Sequence, residues 1–261
     1  MHAALYVSKT GLSAQDKQLS TISNNLSNVS TVGFKRDRVV FEDLLYQIQR
    51  QPGAATTQDT ELPSGLQLGT GVRVAGTQKS FNQGSFQMTE GQLDVAINGR
   101  GFFEIQMPDG SSAYTRDGQF NRNSNGELVN SAGLLINPGI AIPENASTVT
   151  IGADGTITAS ISGETDTVNL GNLTLVDFVN PAGLQAIGGN LFVETVSSGN
   201  PQQANPGENG VGVLVHQALE NSNVDVVEEL VDMITTQRAY EMNSRVISTA
   251  DQMLQFVTQS L

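Results

Sequence analysis

The sequence predicts an α+β chain: long N- and C-terminal helices, paired as a coiled-coil-like domain, around a central antiparallel β domain with an extended connecting arm. Three observations carry this expectation. Leu5, Ser8, Leu12, Gln15, Leu19, Ile22, Leu26 and Val29 follow one another at alternating steps of three and four, the spacing of a heptad seam. No Gly or Pro occurs after Gly212, and an apolar face there runs through Val227, Leu230, Ile234, Ala239, Met242, Val246, Ala250, Met253, Val257 and Leu261. Between these ends, Leu93, Val95 and Ile97, then Phe103, Ile105 and Met107, alternate with the period of half-buried strands.

Each element has its local signals. The first helix is expected over residues 1–32; it is free of Gly and Pro from Leu12 to Val32, while Gly11 weakens its start by about 1 kcal/mol. Residues 33–72 connect it to the β domain and contain an insertion, 47–65, with the sequence QIQRQPGAATTQDTELPSG. Rich in Gln and Thr, that insertion cannot build a core, and Pro52-Gly53 and Pro63-Ser64-Gly65 place turns at its two ends. The β domain is expected over 73–212. Its turns fall at Pro108-Asp109-Gly110, Asn125-Gly126 and Ala153-Asp154-Gly155, with later strands around Leu173/Leu175 and Leu191/Val193. Residues 213–261 form a connection and the second helix, where Ser222-Asn223-Val224-Asp225 reads as a Ser-x-x-Asp cap before Glu228, Glu229 and Asp232. Two such helices bury too little surface to stand alone, so their remaining stripes ask for other subunits.

Composition narrows the function. Cysteine is absent, which excludes disulfides, thiolate metal sites and cysteine nucleophiles. The net charge of −13 is all in one stretch: residues 123–237 hold 13 acids and no Lys or Arg. Such a surface disfavours nucleic acid and anionic lipid as partners. The first residues show no Sec-type signal and no window approaches the roughly 20 apolar residues of a membrane span, so export would need another route. Candidate chemistry fails residue by residue. Gly69-Thr-Gly71 and Gly99-Arg-Gly101 begin a phosphate-binding pattern, but Val74 and Glu104 stand where its third glycine belongs. The run Asn121-x-Asn123-x-Asn125-Gly126 lacks a charged first calcium ligand and has Ala132 where a bidentate Glu is needed. The two histidines, His2 and His216, read as surface residues, and only a scattered Asp/Glu glycosidase pair stays open. The expectation is no enzyme: no catalytic residue, no metal and no cofactor.

Three motifs in order span the chain. Asn24-Asn25-Leu26-Ser27-Asn28-Val29-Ser30-Thr31-Val32-Gly33-Phe34-Lys35-Arg36 resembles the signature that ends the first helix of flagellar rod and hook axial proteins. Asp94 to Phe103, containing Gly99, Gly101, Phe102 and Phe103, followed by Tyr114-Thr115-Arg116-Asp117-Gly118-Gln119-Phe120, is similar to that family's β-domain signature. Glu228-Glu229-Leu230-Val231 with Gln237-Arg238-Ala239-Tyr240-Glu241 resembles its C-terminal helix motif. The segment from Tyr46 through Gln51-Pro52-Gly53 to Leu62-Pro63-Ser64-Gly65-Leu66 is similar to the distal-rod branch of the family.

The resemblance implies a subunit that polymerises into a rigid hollow drive shaft, encloses an export channel and transmits torque from motor to hook. It implies an inner tube built on Leu5, Leu12, Leu19, Ile22, Leu26, Val29, Val227, Leu230, Ile234, Met242, Val246, Met253 and Val257, and a stiffening arm marked by Gln51, Pro52, Gly53, Leu62, Pro63, Ser64 and Gly65. The implied partners are further copies of the chain, other rod subunits, the hook protein, the surrounding peptidoglycan and outer-membrane ring proteins and the flagellar type III export apparatus, with the basal body in the periplasm as location. A proximal-rod or hook-type axial subunit is the alternative within the class; a secreted β-domain glycan-binding protein or glycosidase is the alternative outside it. Taken singly, Gly33 reads as a helix stop, and Gly99 and Gly101 as turn residues.

Overall fold

Helix α1, His2–Ser27, and helix α2, Val226–Gln259, form at the two ends, and the strands lie between them. The computed structural model describes residues 2–51, 55–57, 60–61, 64–161 and 167–259. The chain divides into two compact units, one of residues 1–26, 37–78 and 225–261, the other of residues 27–36 and 79–224.

In the first unit the heptad seam of α1 is its covered face. Ser8 and Ile22 are buried, and Leu5, Leu12, Gln15, Leu19 and Leu26 are half-buried. The helix ends at Ser27, short of Val32, so Val29 lies in the turn that follows. Asn28 provides the reason: its carbonyl accepts from Thr31 N–H at 3.2 Å and its side-chain oxygen from the Thr31 hydroxyl at 3.2 Å, local bonds that compete with the helical ladder. The cap of α2 also differs from the expected one. Asp225, not Ser222, is the N-cap, its Oδ1 accepting from Val227 N–H at 2.8 Å and Glu228 N–H at 3.2 Å. Ser222 instead accepts from Val224 N–H at 3.3 Å. A carboxylate one residue before the helix meets the first free amides directly and gains from the helix dipole as well.

The strands Asp37–Asp43 and Val72–Lys79 pair in this unit. Beyond them the insertion forms a β-hairpin. Tyr46–Arg50 runs antiparallel to Leu66–Gly69, with Tyr46 opposite Gly69 and Gln47 opposite Leu68, and Ala55–Thr57 pairs with Thr60–Glu61 further out. Every residue of 46–50 and 66–69 is exposed, so backbone pairing without a core holds the two strands. Pro52, Gly53, Leu62 and Pro63 lie outside the described residues, as does the side chain of Val257.

The second unit is built on a seven-stranded antiparallel sheet. Its order is Gln185–Gly188, Leu191–Val193, Ser112–Thr115, Phe102–Gln106, Leu175–Asp177 and Gln202–Ala204, with Ile136–Asn137 also against Phe102–Gln106. The central strand is covered on both faces, not half-buried. Phe103 and Ile105 enter the main core with Val95, Ile97, Leu128, Ile157 and Leu173, while Phe102 enters a second cluster with Tyr114, Val176, Phe178 and Phe192. Alternation therefore sorts residues between two cores here, each apolar. Edge-to-face contacts fill the second, Phe102 to Phe178 at 5.9 Å and Tyr114 to Phe178 at 4.8 Å between ring centres.

The turn at Asp154-Gly155 joins Ala146–Ile151 to Thr156–Ile161 in a three-stranded sheet, pairing Val149 with Ala159 and Ile151 with Ile157; Gly155 takes φ +90°. After Gly212 the chain makes two further strands before α2. Val213–His216 pairs with Val95–Asn98, and Ala218–Glu220 with Phe86–Met88.

Candidate assembly surface and signature cluster

Helix α2 carries apolar residues on its covered and on its exposed side. The covered side carries Glu229, Asp232, Met233, Thr236, Ala239, Asn243, Ile247, Ala250 and Leu254, which are buried or half-buried at helical spacing. The exposed side carries Val227, Leu230, Val231, Ile234, Met242, Val246, Met253 and Phe256, with Val227 70% and Ile234 51% exposed. A helix normally turns its large apolar residues inward; this one turns a mixed face inward and leaves a row of large apolar side chains exposed, with Arg238 and Arg245 among them. The apolar face expected from sequence thus spans both sides, for Ala239 and Ala250 are covered while the larger residues are not.

Two contacts fix how α1 and α2 run. A Cβ on Gly11 would stand 3.1 Å from Asn243 Nδ2. Asn25 Nδ2 donates to Glu229 Oε1 at 3.1 Å and to Asp37 O at 2.9 Å, and its Oδ1 accepts from Asp37 N–H at 2.9 Å. Gly11 and Asn25 are 14 residues apart in α1, as Glu229 and Asn243 are in α2, so the helices lie antiparallel in register. The first signature motif and the C-terminal motif meet at this buried Asn25–Glu229 bond. Gln237, Arg238 and Tyr240 of the latter are exposed on α2 and do not join it.

In the second unit, the first and second motifs converge on a residue that belongs to neither, Glu220. Its Oε1 accepts from Lys35 Nζ at 2.6 Å and from Gly84 N–H at 2.9 Å, its Oε2 stands 3.4 Å from Arg116, and its carbonyl accepts from Gly33 N–H at 2.8 Å. The side chains of Lys35, Glu220 and Arg116 are 0%, 1% and 4% exposed. Lys35 also donates to Asn82 O at 2.9 Å, and Arg116 to Gly99 O at 2.7 Å, with its guanidinium 5.4 Å from the centre of the Phe102 ring. Burial pushes the Lys35 ammonium below its ordinary pKa, and the adjacent Glu220 pulls it back; burial likewise lowers Arg116 against the pull of Glu220 and Asp177. Two cations on one buried anion make a structural clamp. Phe34 lies under Lys79 Nζ at 5.4 Å, and Phe103 meets Phe120 edge-on at 5.1 Å.

The glycines divide. Gly99 and Gly101 take φ +120° and +125°; a Cβ would lie 2.8 Å from Gly212 Cα at Gly99 and 3.0 Å from Val211 Cγ1 at Gly101. Gly33 is not the helix stop: it follows the end of α1 by six residues, has φ +69°, and a Cβ there would lie 2.7 Å from Asp117 N and 2.8 Å from Arg116 C. Close passage of two backbones requires the glycine. Glu220, Gly84 and Asn82 escaped the sequence reading, because a single acid in a three-residue strand gives no periodic signal. In the arm, Gln51 and Ser64 are exposed and Gly65 is half-buried. Among the described residues no group of acids and histidines has metal-binding geometry, and no helix is long and apolar enough to cross a membrane.

Comparison with known proteins agrees along the whole length. Residues 5–35 match the flagella basal body rod protein family, 96–159 the flagellar hook protein FlgE/F/G D1 domain and 215–260 the C-terminal region of flagellar basal body rod FlgEFG proteins. The flagellar basal-body rod protein FlgG of Buchnera aphidicola from Schizaphis graminum is 54% identical over 99% of this chain and 100% of its own. Those of Caulobacter vibrioides and Bacillus subtilis are 45% and 38% identical, covering 98% of this chain and 98% and 97% of their own. With three family regions in order and relatives matched end to end, the chain belongs to the flagellar basal-body rod protein FlgG family and is a structural rod subunit, not an enzyme.

Proposed function

We propose that the exposed apolar stripe of α2 is the face through which the chain polymerises into the distal rod, a rigid hollow shaft that carries torque from motor to hook around an export channel. The observation that carries this is the exposed side of α2: a row of exposed apolar side chains from Val227 to Phe256, about eight turns long, is stable in water only if other subunits cover it. Leu5, Leu12, Leu19, Ile22 and Leu26 act from α1, which pairs with α2 as a coiled-coil-like inner domain. The spacing of the Gly11–Asn243 and Asn25–Glu229 contacts, two heptads on each helix, supports that pairing. Other rod subunits and the hook protein meet the two ends of the shaft, and peptidoglycan and outer-membrane ring proteins surround it. The family resemblance supports passage through the flagellar type III exporter and a periplasmic site of assembly.

The exposed hairpin over residues 46–69 serves as the brace. Isolated two-stranded hairpins are marginal in water, and this one carries Tyr46, Ile48, Leu66 and Leu68 exposed; laid on adjacent subunits it covers them and ties its neighbours against bending. The test of the assembly face is Val227→Asp with Ile234→Asp. Both side chains are exposed, so the monomer keeps its helical circular dichroism, while concentrated protein yields no rods by negative-stain microscopy. Normal rods from this variant would refute the assignment.

A further inference from the structure

We infer that Met242 and Met253 form an oxidation-sensitive pair, through which a hydroperoxide blocks incorporation of the free subunit; this rests on the assembly face proposed above. The chain has six methionines. Met242 and Met253 are 63% and 52% exposed, Met88 is 69% exposed, and Met107 and Met233 are half-buried. Met242 and Met253 stand eleven residues apart in α2, about three turns, which puts them on one face with Val246 and beside Phe256. Met88 is in the strand Phe86–Met88 of the other unit. The reactive sulfurs of α2 are thus on the face that must be apolar to assemble.

The chemistry needs only hydrogen peroxide or an alkyl hydroperoxide. The thioether sulfur attacks the peroxide, the O–O bond breaks and an S–O bond forms; sulfur is oxidised by two electrons, and hydrogen peroxide is reduced to water. The product is a polar, chiral sulfoxide that disrupts an apolar interface, and methionine sulfoxide reductases reverse it. No cysteine competes for the oxidant, since the chain has none. Once the stripe is covered in the polymer the sulfurs are shielded, so free subunits are sensitive and finished rods resistant.

The experiment treats full-length monomer with dilute hydrogen peroxide, maps oxidised peptides by mass spectrometry and measures polymer yield by sedimentation. The expected result is oxidation of Met88, Met242 and Met253 ahead of Met107 and Met233, unchanged circular dichroism, and a polymer yield at least tenfold lower that returns after reductase treatment. Met242→Leu with Met253→Leu, which keeps volume and apolarity, assembles equally before and after peroxide, whereas Met88→Leu is inhibited like the parent. Full assembly with both sulfoxides present overturns the proposal. If Val227→Asp with Ile234→Asp still abolishes assembly in that case, the assembly face stands and the oxidation switch alone falls; if that variant also assembles, both fall.

Discussion

Asn25 on α1 and Glu229 on α2 are 204 positions apart in sequence and share a hydrogen bond of 3.1 Å. Asn25 is 1% exposed and completes its bonding on the backbone of Asp37, so one amide joins both helices to the first strand. Asn25→Ala removes these bonds and costs the unit about 1–3 kcal/mol. Amide hydrogen exchange should accelerate in the last turn of α1 and in residues 37–43, while the sheet of the other unit exchanges as before.

The Lys35–Glu220–Arg116 clamp predicts an order of damage. Glu220→Ala leaves two buried cations without their anion and should cost roughly 3–5 kcal/mol or prevent folding of its unit. Lys35→Met should cost less, since Glu220 keeps Arg116 and the Gly84 amide. Urea midpoints read by circular dichroism rank the two variants, and the reverse order would show that Glu220 is not the hub.

Gly33→Ala and Gly33→Asn should be about equally destabilising. Asn tolerates positive φ, but the obstacle at Gly33 is the Arg116–Asp117 backbone, which any Cβ meets. At Gly110, φ +83° with open space around it, Asn should be accepted. Thermal transitions of the three variants separate conformational strain from close approach.

Tyr114 gives the second unit an alkaline limit. Burial, with Glu104 and Glu194 adding to it, raises its hydroxyl from 10.0 to about 12. A neutral phenol favoured by the fold contributes stability that is complete below pH 10 and lost as pH climbs to about 12. Tyr114→Phe, whose ring keeps the Phe178 contact, should flatten the loss of stability over that window in urea titrations; an unchanged slope would place the loss on other groups.

Deleting Gln47 to Gly65 removes the first strand of the hairpin except Tyr46, with everything between it and Leu66, and leaves the helices intact. Polymer should still form, but curved and more flexible. Persistence lengths from micrographs decide this, and straight tubes of unchanged stiffness would make the hairpin idle.

Much of this was legible in the residues, for identifiable reasons. A seam such as Leu12, Leu19, Leu26 announces a helix because its period is fixed by backbone geometry, and Asp154-Gly155 announces a hairpin because few residues accept positive φ. The exposed side of α2 was not legible: sequence supplies apolar positions but cannot tell which side a partner covers, and here Glu229, Thr236 and Asn243 share the inner side with Met233, Ile247 and Leu254. Glu220 was hidden for another reason. Its meaning lies in Lys35, 185 positions away, and in Arg116, 104 away, and neither distance leaves a local pattern.

The most direct measurement of the central claim uses the absence of native cysteine. Single variants Ile234→Cys and Val246→Cys each place one thiol on the exposed stripe of α2, and maleimide labelling reads its accessibility before and after polymerisation. The expected result is rapid labelling of monomer and at least tenfold slower labelling of the polymer at both positions. Polymer that forms normally and labels as fast as monomer would contradict it.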